Sequence, residues 1–423
     1  MKTPTLLALV LAGFAIQAMG QDNPAPSNPG DAPDRPRTGQ PRPYSIAQAT
    51  SDRAQLNTIA FDGLAFLTGG FNEDTFLPPG KVSDFFGFQY LRDVDGAALG
   101  HNTDFLTRIA NNTLRILNDG QKAQLVALGQ AQAPQISRLA LKRLPLIQAF
   151  CRNLAGNPPP GRSVLNRVAV RKYVSGLFEL GGGLAFQRAE VYGKIAHSLT
   201  DAQKAQFAKL KFGDSRTWPD GPEGFDKRTV SHPVHVAMMT YASEFFSWYA
   251  GSVEADTYFC PEGHGTYFGS FYLKDAPAVH QANYSISTAL TGDSGEAFLN
   301  ALNPAQREQI TGIIELQRHD LQAIVSTRRA VATELRQFLT GSPASQTKVL
   351  ELCRQYGELD GEISYYYATH FAEVNQTLTA EQRVALKKLR GIAGYSAKTP
   401  FLYADPLAAP AIPNSDFLFA AEP

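Results

Sequence analysis

A chain of 423 residues is long enough for two or three domains, or for one duplicated body around a large core. Lys plus Arg and Asp plus Glu stand at 39 each, so no global field favours nucleic acid or an anionic membrane. The hydrophobic share of 43% is ordinary for a globular protein, and the three cysteines, Cys151, Cys260 and Cys353, allow at most one internal bridge.

The first twenty residues read as a secretory signal. Lys2 supplies the charge, Leu6 to Ile16 the apolar run, and Ala18-Met19-Gly20 a small-x-small cleavage site. The run is short for a membrane span, and no later window offers about 18 unbroken apolar residues. The expectation is an exported protein, periplasmic or secreted, without an integral span. Residues 21–45 are rich in Pro, Gly, Asn and Asp and poor in large apolar side chains, the composition of a disordered linker.

From Ile46 the chain turns apolar and aromatic. Gly80 to Asp93 (GKVSDFFGFQYLRD) finds an echo at Gly263 to Asp275 (GHGTYFGSFYLKD). Four helix starts follow one pattern, LNDGQKAQL from Leu117, LTDAQKAQF from Leu199, LNPAQREQI from Leu302 and LTAEQRVAL from Leu378. In each, Asn118, Thr200, Asn303 or Thr379 is an N-cap. Gln121, Gln203, Gln306 or Gln382, at the third helical position, reaches back to the cap's own amide. The cap-to-cap distances are 82 and 76 residues, so the copies pair off. Leu154-Ala-Gly156 answers Leu339-Thr-Gly341, and Phe178-Glu-Leu-Gly-Gly182 answers Gly357-Glu-Leu-Asp-Gly361.

The predicted fold is mainly α. Two homologous halves, 46–212 and 230–394, carry long antiparallel helices and loop-rich aromatic segments, with a linker at 213–229 and an extended tail at 395–423. The halves are expected to pack about a pseudo-two-fold axis. Ile310, Ile313, Ile314, Leu316, Gln317, Leu321 and Ile324 form the inner stripe of one long helix. Pro134 and Pro145 should kink or interrupt its counterpart. Arg328-Arg329 and Lys387-Lys388 read as solvated faces, and Cys151 and Cys353 as small buried hydrophobes.

Leu199-Thr-Asp-Ala-Gln203 and Leu378-Thr-Ala-Glu-Gln382 resemble the motif of the small periplasmic LTxxQ stress proteins, the Spy-like chaperones. That resemblance implies an all-helical holdase independent of ATP, although this chain is far longer and carries aromatic-glycine stretches that the family lacks.

Two sets of residues are candidates for function. Phe86, Tyr90, Asp93, Tyr267, Phe268, Tyr272 and Asp275 recur in both signatures and would line a binding surface for a protein client or small ligand. His232, His235, Cys260 and His264 would form the alternative, a site for a transition metal such as zinc or copper. Glu179 and Glu358 are expected to pair with Arg188 or Arg143. No nucleophile elbow, phosphate loop, dinucleotide fingerprint, HExxH or paired CxxC stands in the chain, so the leading reading is non-enzymatic and without a cofactor.

Overall fold

A computed structural model describes residues 52–68, 91–92, 104–210, 218–251, 253, 296–389, 401–402, 405–406 and 414–421. The expected signal peptide and disordered linker lie outside these residues. So do both aromatic signatures apart from Leu91 and Arg92.

The protein is mainly α-helical. Helix α1 spans Asp52–Thr68, followed by α2 (Asp104–Ile116), α3 (Asp119–Lys142), α4 (Leu144–Leu154), α5 (Arg167–His197), α6 (Asp201–Lys209) and α7 (His232–Ala250). Then come α8 (Glu296–Asn300), α9 (Pro304–Leu335), α10 (Gln337–Thr340), α11 (Gln346–Thr377) and α12 (Ala380–Leu389). Short strands β1 (Leu91–Arg92), β3 (Phe401–Leu402) and β4 (Asp405–Pro406) pair antiparallel, as do β2 (Arg162–Leu165) and β5 (Phe419–Ala421). Among the described residues no helix is long and apolar enough to cross a membrane.

All four expected caps form. Asn118 Oδ1 accepts from the Gln121 amide at 2.9 Å while Gln121 Oε1 accepts from the Asn118 amide at 2.9 Å. The same reciprocal pair closes Thr200 with Gln203, Asn303 with Gln306 and Thr379 with Gln382. Leu117, Leu199, Leu302 and Leu378, one residue before each cap, are buried and anchor the turn. Of the two prolines expected to disturb the first long helix, only Pro145 coincides with a break. Pro134 lies inside α3 without ending it, whereas Pro145 sits in the first turn of α4, where a missing amide donor costs nothing.

The most extensive helix pairing joins α5 and α11, which run antiparallel along their lengths and form the centre of the molecule. Glycines set their separation. A Cβ on Gly182 would stand 2.5 Å from Cys353 Sγ, and one on Gly357 2.7 Å from the Ser175 Cα. Ser175 Oγ donates to the Arg354 carbonyl at 3.0 Å across the same seam. The flanks carry ion pairs: Glu179 with Arg354 at 2.6 Å, Glu358 with Arg171 at 3.8 Å, and buried Glu362 with Arg167 and Arg171. Glu179 and Glu358 thus pair with Arg354 and Arg171 in place of the expected Arg188 or Arg143. Their positions put them on the edge of the crossing, where the opposite helix brings its own arginines alongside.

Packing does not follow the chain halves 46–212 and 230–394. Helix α1 lies on α9 and α11, with Gly63 beneath Phe298 and Phe371, Phe66 5.2 Å from the Phe371 ring, and Asp52 bonded to Arg318 at 2.6 Å. Helix α7 lies on α2 and α3, where Val234 and Ala237 meet Gly129. Each of these two helices therefore packs on helices of the other half of the chain.

From Trp218 onward the expected linker is a packed strap. Trp218 is buried edge-on against Phe246 at 4.7 Å, Asn112 and Arg115 donate to the Pro219 carbonyl at 3.1 and 3.3 Å, and the Gly224 amide donates to Asn111 Oδ1. The far end of the chain is tied down as well. The Asn166 amide donates to the Leu418 carbonyl at 2.8 Å, and Leu418 and Phe419 are buried.

Candidate functional site

The proposed aromatic surface (Phe86, Tyr90, Asp93, Tyr267, Phe268, Tyr272, Asp275) lies outside the described residues, as do Cys260 and His264. His232 and His235 are described, on the first turn of α7. His235 is buried, and desolvation holds its imidazole below the usual histidine range, so the ring is neutral near pH 7. Among the described residues no three His, Cys, Asp or Glu side chains converge on a point that could hold a metal ion.

The described polar chemistry gathers instead in two buried centres. Gln132 Oε1 accepts from Tyr241 Oη at 2.8 Å and from Arg188 Nε at 3.0 Å. Arg188 Nη1 donates to Glu244 at 3.2 Å, and the other Glu244 oxygen accepts from Tyr192 Oη at 2.6 Å. The Arg188 guanidinium also lies 4.7 Å over the Tyr241 ring. Burial first, and then the Glu244 charge, push the Tyr192 hydroxyl well above its usual pKa. The second centre surrounds Gln317, which accepts from Tyr367 Oη at 2.8 Å and donates to Gln55 Oε1 at 3.3 Å. Three turns further along α9, Arg328 is buried and donates to Tyr356 Oη at 2.8 Å, so only Arg329 of that basic pair faces water. These side chains pin helices together; they are enclosed and present no polar group to solvent.

Two grooves open on the surface of the described residues, each with a helical glycine in its wall. Most helical glycines have an evident packing role, but a Cβ on Gly176 or on Gly312 would meet nothing within 4 Å. A mid-helix glycine costs about 1 kcal/mol relative to alanine, so at these two sites that cost is offset by no packing gain. Gly312 borders a 610 Å³ groove between α9 and α11, with Gln309, Leu316, His370 and Glu373. Leu316, expected on the inner stripe, is 42% exposed there. Gly176 borders a 450 Å³ groove along α5, lined also by Lys142, Ala169, Lys172, Tyr173, Leu177, Leu180 and Phe417. Leu180 and Phe417 are 43% and 47% exposed, large apolar side chains left facing water.

The wall of the α5 groove is held in place. Tyr173 Oη donates to the Lys142 carbonyl at 2.6 Å, and its ring sits 5.4 Å from Phe417, whose segment is anchored by β5. None of these residues was singled out as functional from sequence. The available signal was Gly176 followed by Leu180, an open position and an apolar side chain one turn apart on a helix whose core stripe lies elsewhere. Comparison with protein-family models, curated proteins and solved structures returned no match.

Proposed function

We propose that the protein is an exported, non-enzymatic binding protein of chaperone-like type, built by duplication of one helical unit. The reading asks for no cofactor or metal. Its main support is the α5 groove, where Leu180 and Phe417 stay exposed beside a glycine that no side chain covers. Leaving such surface in water forgoes about 25 cal/mol per Å², which a binding partner would recover. The resemblance of Leu199 to Gln203 and Leu378 to Gln382 to the Spy-like proteins points to the same class. Duplication is supported by the matched cap clusters. Gln203 donates to the Ile116 carbonyl and to Gln121, and Gln382 donates to the Ala301 carbonyl and to Gln306.

The test is suppression of light scattering by a chemically denatured model client at stoichiometric amounts of the full chain. The wild type should suppress it, and Leu180→Glu with Phe417→Glu should abolish the effect while Val384→Glu, an exposed apolar site on α12, should not. Equal suppression by all three, or none by the wild type, would remove the reading.

A further inference from the structure

Resting on that reading, we propose that the groove along α5 receives an amphipathic helix of a partner protein that carries acidic residues beside its apolar face. The groove's shape argues for a helix. Ala169, Tyr173, Gly176, Leu177 and Leu180 lie on one side of α5 and span about 16 Å at 1.5 Å per residue, three turns of a facing helix. Small-molecule sites enclose most of their ligand, but this floor is open enough to leave Leu180 and Phe417 nearly half exposed. A shallow apolar trough with a firm wall suits a partner that brings its own backbone hydrogen bonds and inserts side chains at helical spacing. Gly176 deepens the trough at its middle, where an incoming Leu or Phe would seat.

Charge selects the partner. Lys142 and Lys172 are exposed on the groove's margins, and among the described residues neither has an ion-pair partner. In a chain of balanced charge, two unpaired lysines beside one apolar strip make a local cationic rim. Rim charges of this kind steer association and discriminate between partners more than they add raw affinity.

The test measures fluorescence anisotropy of a labelled helical peptide of about 14 residues, with Leu and Phe at i, i+3, i+4 and i+7 and Glu on both flanks. A second peptide carries Lys in place of Glu. The full chain should bind the Glu peptide at least about tenfold more tightly than the Lys peptide, and Lys142→Glu with Lys172→Glu should reverse that preference. Gly176→Leu fills the trough from a position where an added Cβ meets no atom within 4 Å, so it should weaken the Glu peptide about tenfold or more while leaving the unfolding midpoint unchanged or raised. Equal affinity for the two peptides, or no effect of Gly176→Leu, would overturn the proposal. Capture by anionic phospholipid vesicles without peptide binding would give the groove to a lipid surface. A dimer that Gly176→Leu dissolves, again without peptide binding, would give it to a second copy of the chain; both results overturn the proposal. Client suppression that depends on Leu180 and Phe417 but shows no peptide charge preference sinks the acidic helix alone. Loss of both sinks the binding reading too.

Discussion

The two buried polar centres start from the same position and end with different chemistry. Gln132 lies fourteen residues after cap Asn118, and Gln317 fourteen after cap Asn303. Each accepts a tyrosyl hydroxyl at 2.8 Å, but Tyr241 comes from α7 and Tyr367 from α11. Counted back twelve residues from caps Thr200 and Thr379, the place of Tyr367 is held in α5 by Arg188. The earlier centre therefore gains a cation, and with it the buried Glu244, while the partners described around Gln317, Tyr367 and Gln55, carry no charge. At equal distances from their caps, one centre is built on an ion pair and the other, in its described partners, on neutral hydrogen bonds. The physical consequence is unequal sensitivity, because a buried charge that loses its partner keeps its desolvation cost.

Glu244→Ala should have the largest effect, a loss of about 3–5 kcal/mol in chemical denaturation, since it strips the acceptor from both Arg188 and Tyr192. Tyr367→Phe, the matching lesion in the other centre, should cost about 1 kcal/mol. Replacing both charges, Arg188→Met with Glu244→Leu, should recover most of what Glu244→Ala loses. Similar losses from Glu244→Ala and Tyr367→Phe would erase the distinction between the centres.

The later helices hold a buried carboxyl at Asp360, nineteen residues before Thr379; the same place in α5 is Gly181. Asp360 is fully buried, and its carboxyl oxygens make no hydrogen bond. Ser364, one turn on, is near enough to favour ionisation slightly yet falls outside hydrogen-bond geometry. Burial raises the Asp360 pKa well above its ordinary 3.8. A raised pKa means the stability it permits is complete below about pH 4 and falls as pH climbs towards the folded-state value. Asp360→Asn should therefore match wild type near pH 4 and exceed it by about 1–3 kcal/mol at pH 7, read from denaturation midpoints across pH. A constant difference at every pH would show that Asp360 is not the group responsible.

The sequence made the helices legible because capping is local chemistry: Asn or Thr three residues before Gln closes the same box wherever it stands. Contacts between distant segments were not legible. Nothing in residues 52–68 says that Gln55 will meet Gln317, or that Arg328 will turn inward while Arg329 does not; only the crossing of α9 with α11 decides that. The packing of α1 and α7 on the other half of the chain is hidden for the same reason, since an apolar helix carries no label for its partner. Sequence marks Glu179 as an ion-pairing residue but not its arginine, Arg354, because spacing along one helix fixes its face but not its neighbour. The α5 groove depends on a residue being absent, the side chain of Gly176, and that becomes informative only once the space above it is seen to be empty.

The smallest predicted effects concern the caps, where the two groups of helices agree. Gln121 and Gln306 are equally buried, and each donates both to a hydroxyl and carbonyl at the end of a later long helix, α5 or α11, and to the cap glutamine that follows that helix. Gln121→Ala and Gln306→Ala should each cost about 1–2 kcal/mol and agree within about 0.5 kcal/mol. Adding Gln203→Ala to the first, or Gln382→Ala to the second, should cost less than the sum, because the reciprocal bonds at 2.7 and 2.8 Å are already broken. Equal coupling in both pairs is what descent from one copied unit would leave behind. Strict additivity in either pair would mean that its boxes act as separate local caps, and their likeness would then carry no weight for duplication.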